Sequence, residues 1–181
     1  MEDTLLQTLR YPIGKFKETT YTDTASIQSY ISDIASFPEK LKKEVSNLSE
    51  QQLDTPYRAD GWTVRQVVHH CADSHMNSLI RLKLALTENK PVIKPYFEHL
   101  WAELPDSKFM DIEPALVLLN AVHAKWVFLL QSFTDNDLKK VYVHPEQHKE
   151  YSLDVVIALY AWHGNHHLAH ITSLKSRHGW E

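Results

Sequence analysis

The chain has 181 residues, 43% hydrophobic and 23% charged, which suits one well-cored domain and excludes disordered or collagen-like chains. A net charge of −4 provides no basic stripe, so no nucleic-acid partner is expected. Only 4 glycines disfavour a turn-rich all-β fold, and 12 histidines call for an explanation in metal binding, catalysis or pH sensing.

The stretch Met1 to Arg10 is acidic and mixed and lacks the apolar core of a signal peptide. No run approaches the ~20 apolar residues of a membrane span, and no lipidation motif is visible. The expectation is a cytoplasmic protein with no membrane partner. The first two dozen residues read as extended and irregular, with Tyr21, Thr22, Thr24 and Ser26 as cap candidates. Ile27, Ile31, Ile34, Leu41, Val45 and Leu48 then suit one buried helix face, which Pro38 should kink or split. Ser49 and Gln52 resemble a capping box that opens a short turn before Pro56.

The second helix carries the clearest signals. Thr63 is its N-cap with Gln66 as reciprocal partner, and Val64, Val67, Val68, Cys71, Leu79, Leu82 and Leu86 form a stripe to about Thr87. Cys71, the single cysteine, lies on that stripe and reads as a small core residue; its solitude forbids an intrachain disulfide and fits a reducing compartment. Pro91, Pro95 and Pro105 forbid a continuous helix over residues 88–111, yet Tyr96, Phe97, Leu100 and Trp101 make that segment too apolar for a plain linker. It reads as a crossover over the bundle's end, with one helical turn around Glu98 to Glu103.

A third helix is predicted from about Ile112 to Phe133, capped by Asp111, with the stripe Leu116, Leu119, His123, Trp126, Leu130 and Phe133. A polar stretch from Thr134 to Tyr151 precedes a fourth helix, from near Ser152 or Leu153 to Arg177, stopped by Gly179. Four long amphipathic segments with little strand signal predict an all-α fold. The architecture is a four-helix bundle, one domain over residues 1–181, with a long crossover between helices two and three.

The fourth helix contains His163, His166, His167 and His170. Residues four apart share a helix face, so His163 with His167, or His166 with His170, can offer two imidazoles to one metal ion. The seam Val156, Tyr160, His163, His167, Ile171 and Leu174 is the more continuous, so phase favours the first pair. A third ligand is open among His69, His70, His75 and His123. His70 begins a polar strip with Asp73, Ser74 and Asn77, which is expensive inside a bundle unless something pairs with it. His75, His99, His144, His148 and His178 read as surface or hydrogen-bonded residues, His123 as a satisfied core histidine, and most tryptophans as core or pocket walls. GxGxxG, P-loop and GxSxG motifs are absent.

The run Gly61-Trp62-Thr63-Val64-Arg65-Gln66-Val67-Val68-His69-His70-Cys71-Ala72-Asp73 resembles the first metal-ligand motif of the DinB/YfiT-like superfamily. Tyr160-Ala161-Trp162-His163-Gly164-Asn165-His166-His167 through Ile171 resembles its second, and the segments around His123 and His144-Pro145-Glu146 resemble the YfiT branch. The similarity covers nearly the whole chain from about Tyr11. It implies a four-helix bundle that holds one divalent ion, zinc first and nickel second, on His70, His163 and His167. Cys71 departs from the leucine usual after the first ligand. The resemblance also implies a homodimer and either of two activities. One is a metal-dependent hydrolase whose open coordination position activates water. The other is a thiol S-transferase, acting on small electrophiles, in which a low-molecular-weight thiol such as bacillithiol takes that position. A non-catalytic metal-binding stress-response bundle is the third reading, and it predicts a covered metal without a cleft. Asp73 and Glu98 are candidate carboxylates to orient an imidazole or serve as base. Arg65, Arg81, Lys83 and Lys94 are cations that could meet an acidic thiol, surface charge being the plainer role for each.

Overall fold

The computed structural model describes residues 2–18 and 23–180. In chain order its elements are α1 (Glu2–Arg10), α2 (Thr24–Val45), α3 (Glu50–Leu53), α4 (Val64–Thr87), α5 (Glu98–Trp101) and α6 (Pro105–Phe109). They continue with α7 (Glu113–Leu130), α8 (Asp135–Leu138), an antiparallel hairpin of β1 (Val141–His144) and β2 (Lys149–Ser152), and α9 (Leu153–His178). The four long helices α2, α4, α7 and α9 are the four predicted ones.

Their ends follow from side-chain chemistry. Asp23 caps α2, its Oδ1 accepting from Ser26 N at 2.8 Å; Tyr21 and Thr22, two of the cap candidates, lie outside the described residues. At α4 the box is complete: Thr63 Oγ1 accepts from Gln66 N at 3.2 Å, and Gln66 Oε1 accepts from Thr63 N at 2.9 Å. Thr63→Ala is expected to lower stability by about 1 kcal/mol, read as a lower urea midpoint; an unchanged midpoint would count against the cap. Gly179 closes α9 in the left-handed region at φ 64°, where a Cβ would be strained.

Three expectations are corrected. The first two dozen residues are not wholly irregular: Glu2–Arg10 is a helix that packs on α9, too short to announce itself by periodicity and stabilised by that docking. Of the two outcomes expected at Pro38, a kink or a split, the split does not occur: α2 runs unbroken past it. The polar stretch after the third helix holds α8 and the β1–β2 hairpin, because four-residue strands give too brief an alternation to detect.

The bundle's sides are α2 against α9, α9 against α4, α4 against α7, and α7 against α2, which leaves α2–α4 and α7–α9 as diagonals. Two apolar clusters divide the core. One holds Ile27, Ile31, Ile34, Leu82, Trp126, Leu130, Val156 and Ile157; the other holds Phe37, Leu41, Val67, Val68, Leu119, Ile171 and Leu174. Helices α2 and α9 therefore pass from the first cluster to the second, and α4 and α7 pass the opposite way. Neighbours α4 and α7 are parallel, and parallel neighbours need a long connection, which residues 88–112 supply. The histidines of α4, α7 and α9 form a polar layer between the clusters.

Helix α7 is long and apolar enough, by length and composition, to cross a membrane, with 39% of that window buried. Its inward face, carrying Leu119, His123 and Trp126, is packed in the bundle.

Candidate metal centre

Helix α4 supplies His70, and one turn of α9 supplies His163 and His167. One donor atom from each of the three lies within 4.8 Å of the others. His70 Nε2 and His163 Nε2 are 3.3 Å apart. Two ligands of a tetrahedral ion, each with a bond of about 2.0–2.1 Å, stand about 3.3–3.4 Å apart, so this spacing fits a shared ion. Burial, reinforced by His166 and His170, pushes the His70 pKa down to about 4. Burial, followed by the neighbouring imidazoles, holds His163 and His167 well below the ordinary histidine value. Neutral rings keep a lone pair for a cation at neutral pH, and three imidazoles suit late first-row divalent ions. His167 Nδ1 is buried without a hydrogen-bond partner, as are His166 Nδ1 and His170 Nδ1, so this atom does not by itself distinguish the ligand group.

The same three rings line a pocket of about 520 Å³. Trp62 roofs them, its ring 4.6 Å from that of His70 and stacked 6.4 Å from that of His167. Ser74, Arg81 and Tyr160 come from α4 and α9; Pro95, Tyr96 and Glu98 come from the crossover; His144, Glu146 and Gln147 come from the hairpin. The two outer walls are tied together: Ile93 N donates to Val143 O at 3.0 Å and Val143 N to Pro91 O at 2.9 Å. The crossover and the unforeseen hairpin thus build one side of the pocket.

Behind His163 lies a second set of histidines. His163 Nδ1 is 3.0 Å from His75 Nε2, His75 Nδ1 is 2.6 Å from His123 Nε2, and His123 Nδ1 is 2.6 Å from Ile34 O. Both inner rings are buried, and burial lowers the pKa of His123 to about 4 and, with the neighbouring imidazoles, holds His75 well below the ordinary histidine value.

The other sequence candidates fall in distinct places. Glu98 stands on the pocket wall, and so does Glu146. Asp73 is not among the pocket's lining residues; burial, then the charge of Asp106, raises its pKa to about 6. His166 stacks on Trp162 at 4.5 Å, and His170 stacks on Tyr57 at 3.9 Å with its Nε2 donating to Arg10 O at 3.2 Å. Cys71 is buried, which raises its thiol pKa and makes it inert packing rather than a nucleophile. Arg65 is a structural clamp, held by Glu50 and Asp54 and donating to Met110 O at 3.0 Å. Arg81 lines the pocket and donates to Lys94 O at 3.2 Å, whereas the Lys83 and Lys94 side chains are exposed. His144, read as a surface or hydrogen-bonded residue, lines the pocket, and its Nδ1 is buried and unpartnered.

Comparison with known proteins places this geometry. The DinB superfamily model matches residues 35–171, which include every residue of the three-histidine group. A Bacillus cereus (strain B4264) protein named "Putative metal-dependent hydrolase" is 55% identical over 172 residues, covering 95% of this chain and 98% of its own. A Bacillus mycoides (strain KBAB4) protein of the same designation is 53% identical over 178 residues, covering 97% and 100%. The solved structure of YfiT from Bacillus subtilis is described as a probable metal-dependent hydrolase with an unusual four-helix bundle topology. It superposes with a TM-score of 0.94 at 47% identity, covering 96% of this chain and 99% of that one. With its parallel neighbouring helices and a histidine trio between two of them, this chain belongs to the DinB superfamily, in the YfiT branch.

Proposed function

We propose that the protein is a metal-dependent hydrolase of a small-molecule substrate, with one divalent ion, zinc first and nickel second, on His70, His163 and His167. The observation that carries this reading is that the three rings open onto a pocket and, among the described residues, no fourth His, Cys, Asp or Glu joins their group. A purely structural ion would sit in a closed shell. When bound, the ion would supply Lewis acidity and lower the pKa of water toward about 7. The chain's own part is to hold three neutral imidazoles, to exclude bulk water from one side with Trp62, and to accept the released proton. Glu98 and Glu146 are the carboxylates on the pocket wall and the candidates for that last role.

A second reading, metal-dependent transfer of a low-molecular-weight thiol to an electrophile, is favoured by Arg81. It is a fixed cation on the same wall, suited to the acidic groups of such a thiol. One experiment separates the two. Zinc- and nickel-reconstituted protein is assayed with esters and amides, and in parallel with electrophiles plus thiols. Metal-dependent hydrolysis without added thiol is the expected result. Conjugation that requires added thiol, with no hydrolysis, would replace the hydrolase reading by the transferase one.

A further inference from the structure

The line of imidazoles behind His163 ends on a carbonyl that is free for a covalent reason. In an α-helix the carbonyl of residue 34 accepts from the N–H of residue 38. Residue 38 is proline, which has no N–H. Ile34 O accepts instead from His123 Nδ1, across from α2 to α7. The proline that reads as a helix interruption is thus the device that exposes an acceptor inside the bundle. Phe37, next to it, lays its ring 5.2 Å from His75 and 5.7 Å from His123, and Gly164 of α9 makes room, since a Cβ there would come within 3.0 Å of the Phe37 ring.

A carbonyl oxygen can only accept, so the end of the line sets the direction of every bond in it. His123 carries its proton on Nδ1, and its Nε2 accepts. His75 then donates from Nδ1 and accepts at Nε2. His163 must donate from Nδ1, which leaves its Nε2 as a bare lone pair facing His70 Nε2. We infer that His75 and His123, anchored on the Ile34 carbonyl that Pro38 leaves free, are positioning residues that hold His163 in the one tautomer able to bind a metal ion through Nε2. Nothing at the far end can take up a proton, so the line orients a ligand and does not conduct protons away from the pocket. The inference rests on the three-histidine reading of the metal centre.

The test uses the full chain without metal and then with zinc. Nitrogen-15 spectra of the metal-free protein are expected to show Nδ1–H tautomers for His123, His75 and His163. A His163 found as the Nε2–H tautomer would overturn the inference, whatever the ion does. Zinc affinity is then measured by competition with a chelator. His75→Leu is expected to weaken it about 10–100-fold. His75→Gln, whose amide can accept from His163 and donate to His123, is expected to restore most of the loss. Wild-type affinity in His75→Leu would overturn the orienting role. If His75→Leu fails to fold, the wild-type tautomers still decide. In Pro38→Ala the restored N–H competes for the Ile34 carbonyl, so the His123 Nδ1–H proton resonance is expected to move upfield; an unmoved resonance would remove Pro38 from the device. Absence of zinc binding by the wild-type protein would defeat the metal reading itself, a result distinct from a wrong tautomer.

Discussion

Alanine at His163 is expected to abolish stoichiometric zinc binding, and alanine at His70 or His167 to do the same, while His166→Ala and His170→Ala keep the ion. The argument is geometric. The three rings of the first group bring one nitrogen each into a common space open to the pocket. His166 and His170 lie on the same helix turns but are engaged elsewhere. The first stacks on Trp162, and the second is pressed on Tyr57 and bonded to the Arg10 carbonyl. Losing even an outer partner of a ligating histidine costs about 10–100-fold in affinity, and losing one of three direct ligands must cost more. The measurement is metal content after reconstitution and dialysis, with helical content checked for each variant. Full retention in His163→Ala combined with loss in His166→Ala would reverse the assignment of the two pairs.

The long helices were legible because their signals are local. The Thr63–Gln66 box, Gly179 and the apolar stripes each lie within one or two turns of what they specify. The HxxxH pair was legible for the same reason, since phase along α9 separates the His163 seam from its rival. Which histidine of α4 joins His163 and His167 was not legible from phase. His69, His70 and His75 sit on different faces of α4, and which face meets α9 is decided by the packing of all four long helices; the family motif pointed to His70 instead. The role of His75 left a trace that went unread. The α4 stripe runs Val67, Val68, Cys71 and then Leu79, skipping a turn, and His75 fills the gap, fully buried. A stripe that skips a turn at a histidine marks a core imidazole in need of a partner. The partner itself, His123, is 48 residues away, and the acceptor beyond it is a backbone carbonyl exposed by a proline. No periodicity carries such a relation. The pocket wall was hidden in the same way, because the hairpin and the crossover acquire their shared face only by pairing Val92 with Val143.

Acid is expected to unfold the metal-free protein well above the pH at which carboxylates titrate. His70, His123, His166 and His170 each have a pKa pushed down to about 4 from 6.5, with burial the largest cause in every case. Burial holds His75, His163 and His167 well below the ordinary value too. As pH falls below 6.5 the unfolded chain takes up protons on all of these rings, while the folded chain keeps His70, His123, His166 and His170 neutral until about 4 and resists protonation of the other three. The unfolded state therefore binds more protons in that window, and stability falls as pH falls. Above it both states are neutral and the effect vanishes. Each of the four rings held near 4 contributes at most about 1.4 kcal/mol per pH unit within the window. A few of them acting together reach the roughly 5–15 kcal/mol that hold a domain folded. Urea midpoints taken at about pH 7.5, 6 and 5 should decline steeply, with unfolding in buffer alone near pH 5. Zinc should raise the midpoint at neutral pH by mass action, and the gain should shrink in acid as protons compete for the same lone pairs. A midpoint that stays level down to pH about 5 would mean that the layer accepts charge while folded, contrary to the burial seen between its two apolar halves.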